Sequence, residues 1–239
     1  MTDQIKKAMI LAAGRGERMR PLTDHLPKPL VEVQNKPLIV HHIERLVAAG
    51  VEEIIINHAH LGHLIERRLG DGHQWGVKIH YSAEVSGGLE TAGGIIQALP
   101  LLGKQPFLLI NGDVWTDIDF SHLLAHSLAG YWAHLVMVDN PSHHAEGDFD
   151  LLDNGEVLES AGQAAAASRL TYSGIAVISP ALFGAVLPFQ GRLALGPLLR
   201  EAMRGEQVSG EYFQGEWADI GTLARWQSLQ DKLADQRQE

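Results

Sequence analysis

The sequence predicts an α/β protein with a doubly wound, mainly parallel β-sheet flanked by helices, together with a β-rich lobe. Two observations predict this fold. Short apolar runs, such as residues 7–13 and 106–111, break off at glycine, and strands that are buried on both faces of a parallel sheet have such near-continuous apolar sequences. Between these runs the apolar residues recur at helical spacing. Because strands and helices alternate, we expect crossover units and parallel pairing.

The first half of the chain contains the regular alternation. Strands are predicted at residues 7–13, 53–57, 77–82 and 106–111, and helices at residues 37–49, 60–69 and 91–102. Gly50 directly follows the first of these helices, and glycine is the residue that most often ends a helix. We expect the chain to enter the third helix through Gly93 and Gly94.

Beyond about residue 139 the pattern changes to short β-like pieces with polar, glycine-rich connections. These pieces lie at residues 148–152, 156–159 and 170–178, and two further helices are predicted, one opened by Pro197 and one that begins near Gly221 and Thr222. No linker rich in Pro, Gly or Ser separates the two halves. We therefore expect one domain over residues 1–239, with a core in 1–138 and a β-rich lobe with C-terminal helices in 139–239.

The composition excludes several classes of protein. Lys plus Arg number 19 and Asp plus Glu number 29, which gives a formal net charge of −10 and argues against a nucleic-acid partner. Cysteine is absent, so disulfides, cysteine-ligated metals and a thiol nucleophile are ruled out. No apolar run approaches the ~18 residues that a membrane helix needs, and the N-terminus lacks the apolar stretch of a signal peptide. We expect a cytoplasmic protein with no membrane partner.

The segment LAAGRGERMRP, residues 11–21, is the first candidate site. Its glycines directly follow a predicted strand and alternate with Arg15, Arg18 and Arg20, while Lys28 lies between two prolines. Glycine lets the backbone approach a phosphate closely, and successive N–H groups form a cavity for anions. The arginine guanidinium suits phosphate oxygens and stays charged at any working pH. In a chain of net charge −10, this cluster predicts a polyphosphate site.

Known phosphate motifs fit this segment incompletely. A dinucleotide-binding GxGxxG needs glycine at Met19, so a dinucleotide oxidoreductase is weakly supported. The chain has neither the GxxxxGK[ST] of a P-loop nor the signature set of a protein kinase. The alternative without a ligand is an ordinary strand–helix turn with surface arginines.

Two acids make the second candidate site. Asp113 follows the predicted strand at 106–111, and Asp219 lies in the motif WADIGT. In open α/β sheets, ligands bind beyond the carboxyl ends of the strands, and a carboxylate there is suited to hold Mg²⁺ on a phosphate. The alternative for Asp113 is a turn aspartate that caps a helix. The two acids could share one metal, although they lie far apart in the chain.

The motifs LAAGRGERMRPLT, PKPL, NGD and WADIGT, in this order over nearly the whole chain, resemble the sugar-1-phosphate nucleotidyltransferase family. The segments VDNPSHHAEGDFDL and TYSGIAVISPALF are similar to those of its N-acetylmuramate-1-phosphate uridylyltransferases. The resemblance implies Mg²⁺-dependent transfer from UTP to this sugar 1-phosphate in peptidoglycan recycling, by a monomer or small homo-oligomer. Alternatives are another hexose 1-phosphate (mannose or glucose), another nucleotide, or a non-catalytic regulator that binds nucleotide sugars.

The resemblance also implies roles for individual residues. The implied nucleotide contacts are Ala12, Ala13, Gly14, Arg15, Gly16, Lys28, Glu84, Gly88 and Thr91. The implied catalytic residues are Arg18, Lys28 and Asp113, and the implied Mg²⁺ ligands are Asp113 and Asp219. The implied substrate contacts on the sugar side are Asn111, Gly147, Asp148, Tyr172 and Ser173. Residues 1–138 would then form the nucleotide-binding core, and the lobe would bind the sugar.

One departure from the family pattern concerns the sugar phosphate. Larger relatives carry a Glu-Lys-Pro block whose lysine binds this phosphate, and the corresponding residues 158–161 read LESA. Another cation, or the metal and the backbone, must take over that contact. His143 and His144 are candidates for a sugar or phosphate contact, with solvated loop histidines as the alternative. The histidines at 58, 60 and 63 lack the HExxH spacing of a zinc site.

Overall fold

The computed structural model of the protein describes residues 4–84, 87–160 and 167–236. Strands and helices alternate along the first half. The strands are Lys7–Leu11 (β1), Glu32–Val33 (β2), Lys36–Pro37 (β3), Glu53–His58 (β4), Lys78–Ala83 (β5), Phe107–Asn111 (β6), Val114–Thr116 (β7), Ala133–Val138 (β8), Phe149–Leu152 (β9), Val157–Leu158 (β10), Ala167–Ile178 (β11), Val208–Tyr212 (β12) and Trp217–Asp219 (β13). The α-helices are Leu38–Ala49 (α1), Gly62–Leu69 (α2), Glu90–Leu102 (α3), Phe120–Ala125 (α4), Leu195–Arg204 (α5) and Leu223–Asp235 (α6).

The central sheet has the strand order β10-β9-β11-β6-β1-β4-β5, and β8 and β12 extend it from β11. Strand β1 runs parallel to both of its neighbours, β4 and β6, and β4 runs parallel to β5. Strand β11 is antiparallel to β6. The parallel strands and their crossover helices confirm the predicted α/β fold. Because the helices connect parallel strands, the carboxyl ends of β1, β4 and β6 meet at one edge.

Both faces of the sheet are covered. Along β1, Met9 faces one apolar cluster and Ile10 faces the other, because successive side chains of a strand point to opposite faces. The cluster that contains Ile10 packs against α1, α2 and α4, and the cluster that contains Met9 packs against α3 and α5. None of the helices in the described ranges is long and apolar enough to cross a membrane.

Strand β11 joins the core to the lobe. Its C-terminal part pairs with β6, through Ile175 and Ile110, and its N-terminal part pairs with β9, through Leu170 and Phe149. Along its other edge it pairs with β8, where the register shifts between Tyr172 and Ala176. One strand therefore belongs to both parts, and the lobe continues the sheet at the edge of β6.

A two-stranded antiparallel sheet brings the C-terminal segment to the end of β6. Strand β13 pairs with β7 so that Asp219 lies opposite Val114, and the N–H of Ile220 donates to the carbonyl of Asp113 at 2.7 Å. Asp113, in the turn before β7, and Asp219, at the end of β13, are thus brought close together although they lie 106 residues apart in the chain.

The structure differs from the sequence prediction in several element boundaries. Helix α3 begins at Glu90 and contains Gly93 and Gly94 within its length, whereas we expected this glycine pair at its entry. Helix α5 begins at Leu195, before Pro197. Strands β8 and β12 and helix α4 were not predicted. The sequence of β12, VSGEY, has no apolar run that would predict a strand. In the structure it is an edge strand that pairs only with β8 among the described strands.

His42 fixes β7 to helix α1. Its side chain is buried, and its Nε2–H donates to the carbonyl of Val114 at 2.8 Å. Burial lowers the pKa of His42 from 6.5 to about 4. The imidazole is therefore neutral at physiological pH and acts as a hydrogen-bond donor to the strand that follows Asp113.

We expect His42 to make the protein less stable in mild acid. Between pH 6.5 and about 4, the unfolded chain binds a proton at His42 that the folded protein does not bind, so the free energy of unfolding falls as the pH falls. From pH 6.5 to 4 this loss amounts to about 3 kcal/mol. The measurement is the free energy of unfolding from urea titrations, plotted as a curve against pH. In His42→Gln, whose side chain does not titrate, we expect this curve to be flatter between pH 6.5 and 4 than in wild type. His63→Gln, at an exposed position of α2, should leave the curve unchanged. Parallel curves for wild type and His42→Gln contradict the assignment.

Candidate active site

A cleft of about 1020 Å³ opens at the carboxyl ends of β1, β4 and β6. Its lining includes all of the residues that the sequence analysis assigned to the nucleotide and to catalysis, together with Asn111 from the predicted sugar-side contacts. These are Ala12, Ala13, Gly14, Arg15, Gly16, Arg18, Lys28, Glu84, Gly88, Thr91, Asn111 and Asp113. The sheet edge brings them together from the loops after β1, β5 and β6, as expected for a ligand site in an open α/β sheet.

The glycine loop after β1 has the conformation that its glycines allow. Gly16 has a φ of 70°, and a Cβ on it would lie 3.0 Å from the Cγ2 of Thr23. Thr23 in turn donates its hydroxyl to the carbonyl of Gly16. The Arg15 guanidinium donates to the carbonyl of Thr23 at 2.7 Å and pairs with Asp24 at 2.9 Å. Arg15 therefore braces the loop from within.

Arg18 is exposed and lines the cleft. Within the described part of the chain, its guanidinium has no hydrogen bond or ion pair with the protein, in contrast to Arg15. An arginine whose N–H groups are not already used offers a planar pair of donors to phosphate oxygens. Of the two arginines, Arg18 is the one available to a ligand.

A polar chain links the glycine loop to the loop before α3. The Asn57 side chain is buried at the end of β4, where it accepts from the N–H of Ala12 at 2.9 Å and donates to Glu84 at 2.6 Å. The other oxygen of Glu84 accepts from the N–H of Leu89 at 2.7 Å. Sequence analysis missed Asn57. The signal was available, because a polar residue that ends a buried strand lies at the ligand edge of the sheet.

Gly94 makes this polar chain possible. A Cβ on Gly94 would lie 2.4 Å from Oε1 of Glu84 and 2.8 Å from Nδ2 of Asn57. Both distances are far below contact distance, and both neighbours are held by hydrogen bonds. Glycine is therefore needed at position 94 because Glu84 and Asn57 approach α3 closely there. The sequence alone did not show this requirement.

Lys28 and Asp113 form an ion pair within the cleft. Lys28 Nζ lies 2.5 Å from Oδ2 of Asp113, and the lysine side chain is only 10% exposed while that of Asp113 is 41% exposed. The flanking residues Pro27 and Pro29 restrict the backbone around Lys28. A buried lysine without its partner would be costly, so the ion pair with Asp113 holds the Lys28 side chain extended toward the cleft.

Asp219 does not line the cleft itself, and both of its oxygens have partners. His143 Nε2 lies 3.0 Å from Oδ1, and Arg225 Nη1 lies 2.9 Å from Oδ2. Sequence analysis missed Arg225. It extends from the first turn of α6, where the hydroxyl of Thr222 accepts from its N–H. Its Nη2 lies against Gly221, 1.7 Å from where a Cβ would be built, and Nη2 of Arg18 is 3.0 Å from the same point.

The donor set of these two acids fits Mg²⁺. Over the described ranges, no group of three or more His, Asp or Glu side chains is placed to hold a metal by itself. Mg²⁺ is commonly held by one or two carboxylates together with substrate phosphates and water, so Asp113 and Asp219 suffice only when a phosphate is present. The protein cations on their oxygens already neutralise the acids, as a bound cation would.

Of the residues predicted for the sugar side, Asn111 lines the cleft, whereas Gly147, Asp148, Tyr172 and Ser173 lie in the lobe, outside the cleft lining. Asp148 accepts from the N–H of Tyr172 at 2.9 Å and contacts His144 at 3.0 Å. The hydroxyl of Tyr172 is buried and has no hydrogen-bond partner in the part of the chain that the structure describes, and burial raises the pKa of this phenol. Gly147 has a φ of 62°. Their roles in sugar binding stay predictions.

The register shift in β11 connects the lobe to the cleft. Ser173 and Gly174 lie within the shifted part of the strand, and Gly174 has a φ of 80°. A Cβ on Gly174 would lie 2.5 Å from Nδ2 of Asn111, which lines the cleft. The carbonyl of Ser173 accepts from the indole N–H of Trp217 on β13. The bulge therefore packs against both Asn111 and the strand that carries Asp219.

Glu159, where larger relatives have their Glu-Lys-Pro block, lies among ion pairs with α5. It contacts Arg200 at 3.1 Å and Arg204 at 3.2 Å. Its carboxylate thus helps to join β10 to the helix.

The comparisons with known proteins agree with this geometry. The family model described as Nucleotidyl transferase matches residues 7–149. The N-acetylmuramate alpha-1-phosphate uridylyltransferase of Neisseria meningitidis serogroup B is 53% identical over 228 residues, 94% of this chain and 96% of that protein. The chain belongs to the nucleotidyl transferase family. A Caulobacter vibrioides protein with the same name is 34% identical and covers 98% of this chain and 100% of its own length.

The nucleotidyl transferase fold is also that of solved structures. The inositol-1-phosphate CTP transferase from T. maritima superposes with a TM-score of 0.76 at 19% identity, over 98% of both chains.

We expect Gly94→Ala to weaken nucleotide binding. In a helix, Gly→Ala usually stabilises by up to about 1 kcal/mol, but here the new methyl group pushes Glu84 and Asn57 apart. UTP affinity measured by calorimetry should fall about tenfold, and the free energy of unfolding should drop by about 1–3 kcal/mol.

Gly196→Ala in α5 is the matched control for Gly94→Ala. Its Cβ would meet only the end of the Arg200 side chain, at 3.2 Å, so UTP affinity should stay at the wild-type value. Equal UTP affinity in both variants contradicts the role of the polar chain.

Proposed function

We propose that the protein is a uridylyltransferase that makes UDP-N-acetylmuramate and pyrophosphate from UTP and N-acetylmuramate 1-phosphate, in peptidoglycan recycling. The observation that carries the proposal is the pairing of β7 with β13, because it sets Asp219 next to Asp113 at the edge where Arg18 and Lys28 also lie. The name of the Neisseria meningitidis relative supports the choice of nucleotide and sugar.

The donor nucleotide fits the glycine-loop side of the cleft. The backbone of residues 13–16 offers N–H groups to the phosphates, and Arg18 offers an unengaged guanidinium. Glu84, Gly88 and Thr91 line the same cleft at the entry of α3, where backbone groups of a glycine-containing loop suit the edge of a pyrimidine. The polar chain through Asn57 then couples the base side to the phosphate side.

The proposed reaction is an in-line displacement at phosphorus. A phosphate oxygen of the sugar 1-phosphate attacks the α-phosphorus of UTP, and the bond from that phosphorus to the oxygen bridging to the β-phosphate breaks. Pyrophosphate leaves with this electron pair. The attacking phosphate needs little activation by a base, because its second pKa is about 6. The barrier is the meeting of two polyanions, so positioning and positive charge supply the catalysis.

In this proposal Arg18 neutralises the departing pyrophosphate, and Lys28 approaches the reacting phosphates from its ion pair with Asp113. Asp113 and Asp219 would hold Mg²⁺, which neutralises phosphate oxygens and orients them when bound. Asn111, next to the β11 bulge, faces the acceptor side. We propose that the enzyme acts in the cytoplasm, where UTP is available, as a monomer or small homo-oligomer.

A nucleotidyltransferase for another sugar 1-phosphate has the same site chemistry, so the donor and acceptor must be tested. We expect the highest kcat/KM for UTP with N-acetylmuramate 1-phosphate when four nucleoside triphosphates are crossed with muramate, glucosamine, glucose and mannose 1-phosphates. A preference for GTP with mannose 1-phosphate would select the alternative. UTP binding without pyrophosphate release for any sugar would select a regulator.

Asp113→Asn tests the catalytic assignment. The variant removes one charge from the proposed Mg²⁺ site while it keeps an oxygen near Lys28, so we expect kcat to fall by about 10²–10³. Pyrophosphate release in a coupled assay measures this loss, and the thermal midpoint reports folding. Asp231→Asn on the outer part of α6 is the control, with unchanged kcat. Wild-type turnover of Asp113→Asn in Mg²⁺ rejects the assignment.

A further inference from the structure

We infer that the two partners of Asp219 have opposite functions: Arg225 is a positioning residue that stays on the carboxylate, and His143 is the partner that a divalent cation replaces. The inference rests on the proposed function, because it takes Asp219 as a ligand of that cation. It assigns roles to two residues that the proposed reaction leaves without one.

Arg225 is fixed from several sides. It lies in the first turn of α6, whose beginning is capped by Thr222, and its side chain is only 20% exposed. The next residue, Trp226, donates its indole N–H to the carbonyl of Glu32 at 2.8 Å. Gln230, one turn further, accepts hydrogen bonds from the backbone N–H and the side-chain amide of Gln34. The helix that carries Arg225 is therefore tied to the segment around β2.

The guanidinium of Arg225 is also enclosed. Its Nη2 lies against the backbone of Gly221, where any Cβ would overlap it. Its Nε and Nη2 are buried and have no hydrogen-bond partner within the described residues, so the bond from Nη1 to Asp219 is the one polar contact that the structure gives to this group. Losing that bond would leave this largely buried cation without an ion-pair partner, which is unfavourable. Arg225 therefore stays on Oδ2.

His143 is held far more loosely. It lies in the three-residue 3₁₀ turn Ser142–His144, which has no side-chain cap, and its side chain is 39% exposed. Its contact with Oδ1 of Asp219 is a single bond between an exposed loop and a strand, a kind of contact that contributes little to stability. The imidazole can return to water at small cost, so Oδ1 is the oxygen that can be exchanged.

Replacement of His143 by a cation would connect Asp219, the carboxylate proposed for the metal, with the lobe. His144, next in the chain, contacts Asp148 at 3.0 Å, and Asp148 accepts from the N–H of Tyr172. One short turn therefore contacts the carboxylate proposed for the metal and the carboxylate predicted for the sugar. When a cation takes Oδ1, the turn loses its tie to β13 and keeps its tie to the lobe.

The test uses Mn²⁺ as the probe, with UTP present and no acceptor, and measures free Mn²⁺ by its paramagnetic resonance signal. His143→Ala removes the competitor, so Mn²⁺ should bind about two- to fivefold more tightly. Arg225→Met leaves Asp219 unsupported, so Mn²⁺ should bind about tenfold more weakly or worse. The inference predicts opposite changes in Mn²⁺ affinity for His143→Ala and Arg225→Met. General damage to the fold would instead weaken Mn²⁺ binding in both variants.

Two matched controls accompany these variants. His144→Ala lies on the same turn with similar exposure but contacts Asp148, so Mn²⁺ affinity should equal that of wild type. Arg204→Met removes an arginine from the end of α5, and it too should leave Mn²⁺ affinity unchanged. The thermal midpoint of each variant identifies any that is unfolded at the assay temperature, and Arg225→Lys then replaces Arg225→Met.

Asp219→Asn separates failure of the inference from failure of the proposed site. If Asp219→Asn binds Mn²⁺ as tightly as wild type, no cation is held by Asp219, and both are overturned. If Asp219→Asn weakens binding but His143→Ala does not tighten it, or the Arg225 variant does not weaken it, only the inference is overturned.

Discussion

Two neighbouring carboxylates, Asp113 in the turn before β7 and Asp219 at the end of β13, constrain the whole site. Like charges in a partly buried cleft repel one another, and burial raises the cost of each. The protein meets this cost with cations from other elements: Lys28 on Asp113, and Arg225 on Asp219. Each acid is therefore held in place by a protein cation before any ligand arrives.

The distribution of charge follows from the same constraint. The chain carries a net charge of −10, yet the cleft gathers Arg15, Arg18 and Lys28 at one sheet edge. These cations do different work. Arg15 binds the glycine loop and Asp24, and Lys28 forms an ion pair with Asp113. Within the described residues, Arg18 has no such partner and is available to a ligand. A phosphate-binding site thus contains both structural and available positive charge, and only the contacts of each residue tell them apart.

The lobe is built into the sheet through β11, which pairs with β6 of the core and with β9 of the lobe. The bulge at Ser173 and Gly174 packs against Asn111 on one side and accepts a bond from Trp217 on the other. On the outer side of the lobe, Glu159 is engaged by arginines of α5.

The sequence by itself determined the strands of the parallel core, the glycine loop, and the residue types at the site, because these depend on local patterns: an apolar run, a glycine after it, a proline on each side of Lys28. The roles of Asn57, Gly94 and Arg225 could not be predicted from the sequence. Each role depends on a partner far along the chain, and no local pattern identifies such a partner. Strand β12 could not be predicted for the same reason, because it is a strand through its pairing with β8 and not through its composition. Only the tertiary structure decided that Asp219 lies next to Asp113, because the register of β13 against β7 is fixed by long-range packing that sequence spacing does not encode.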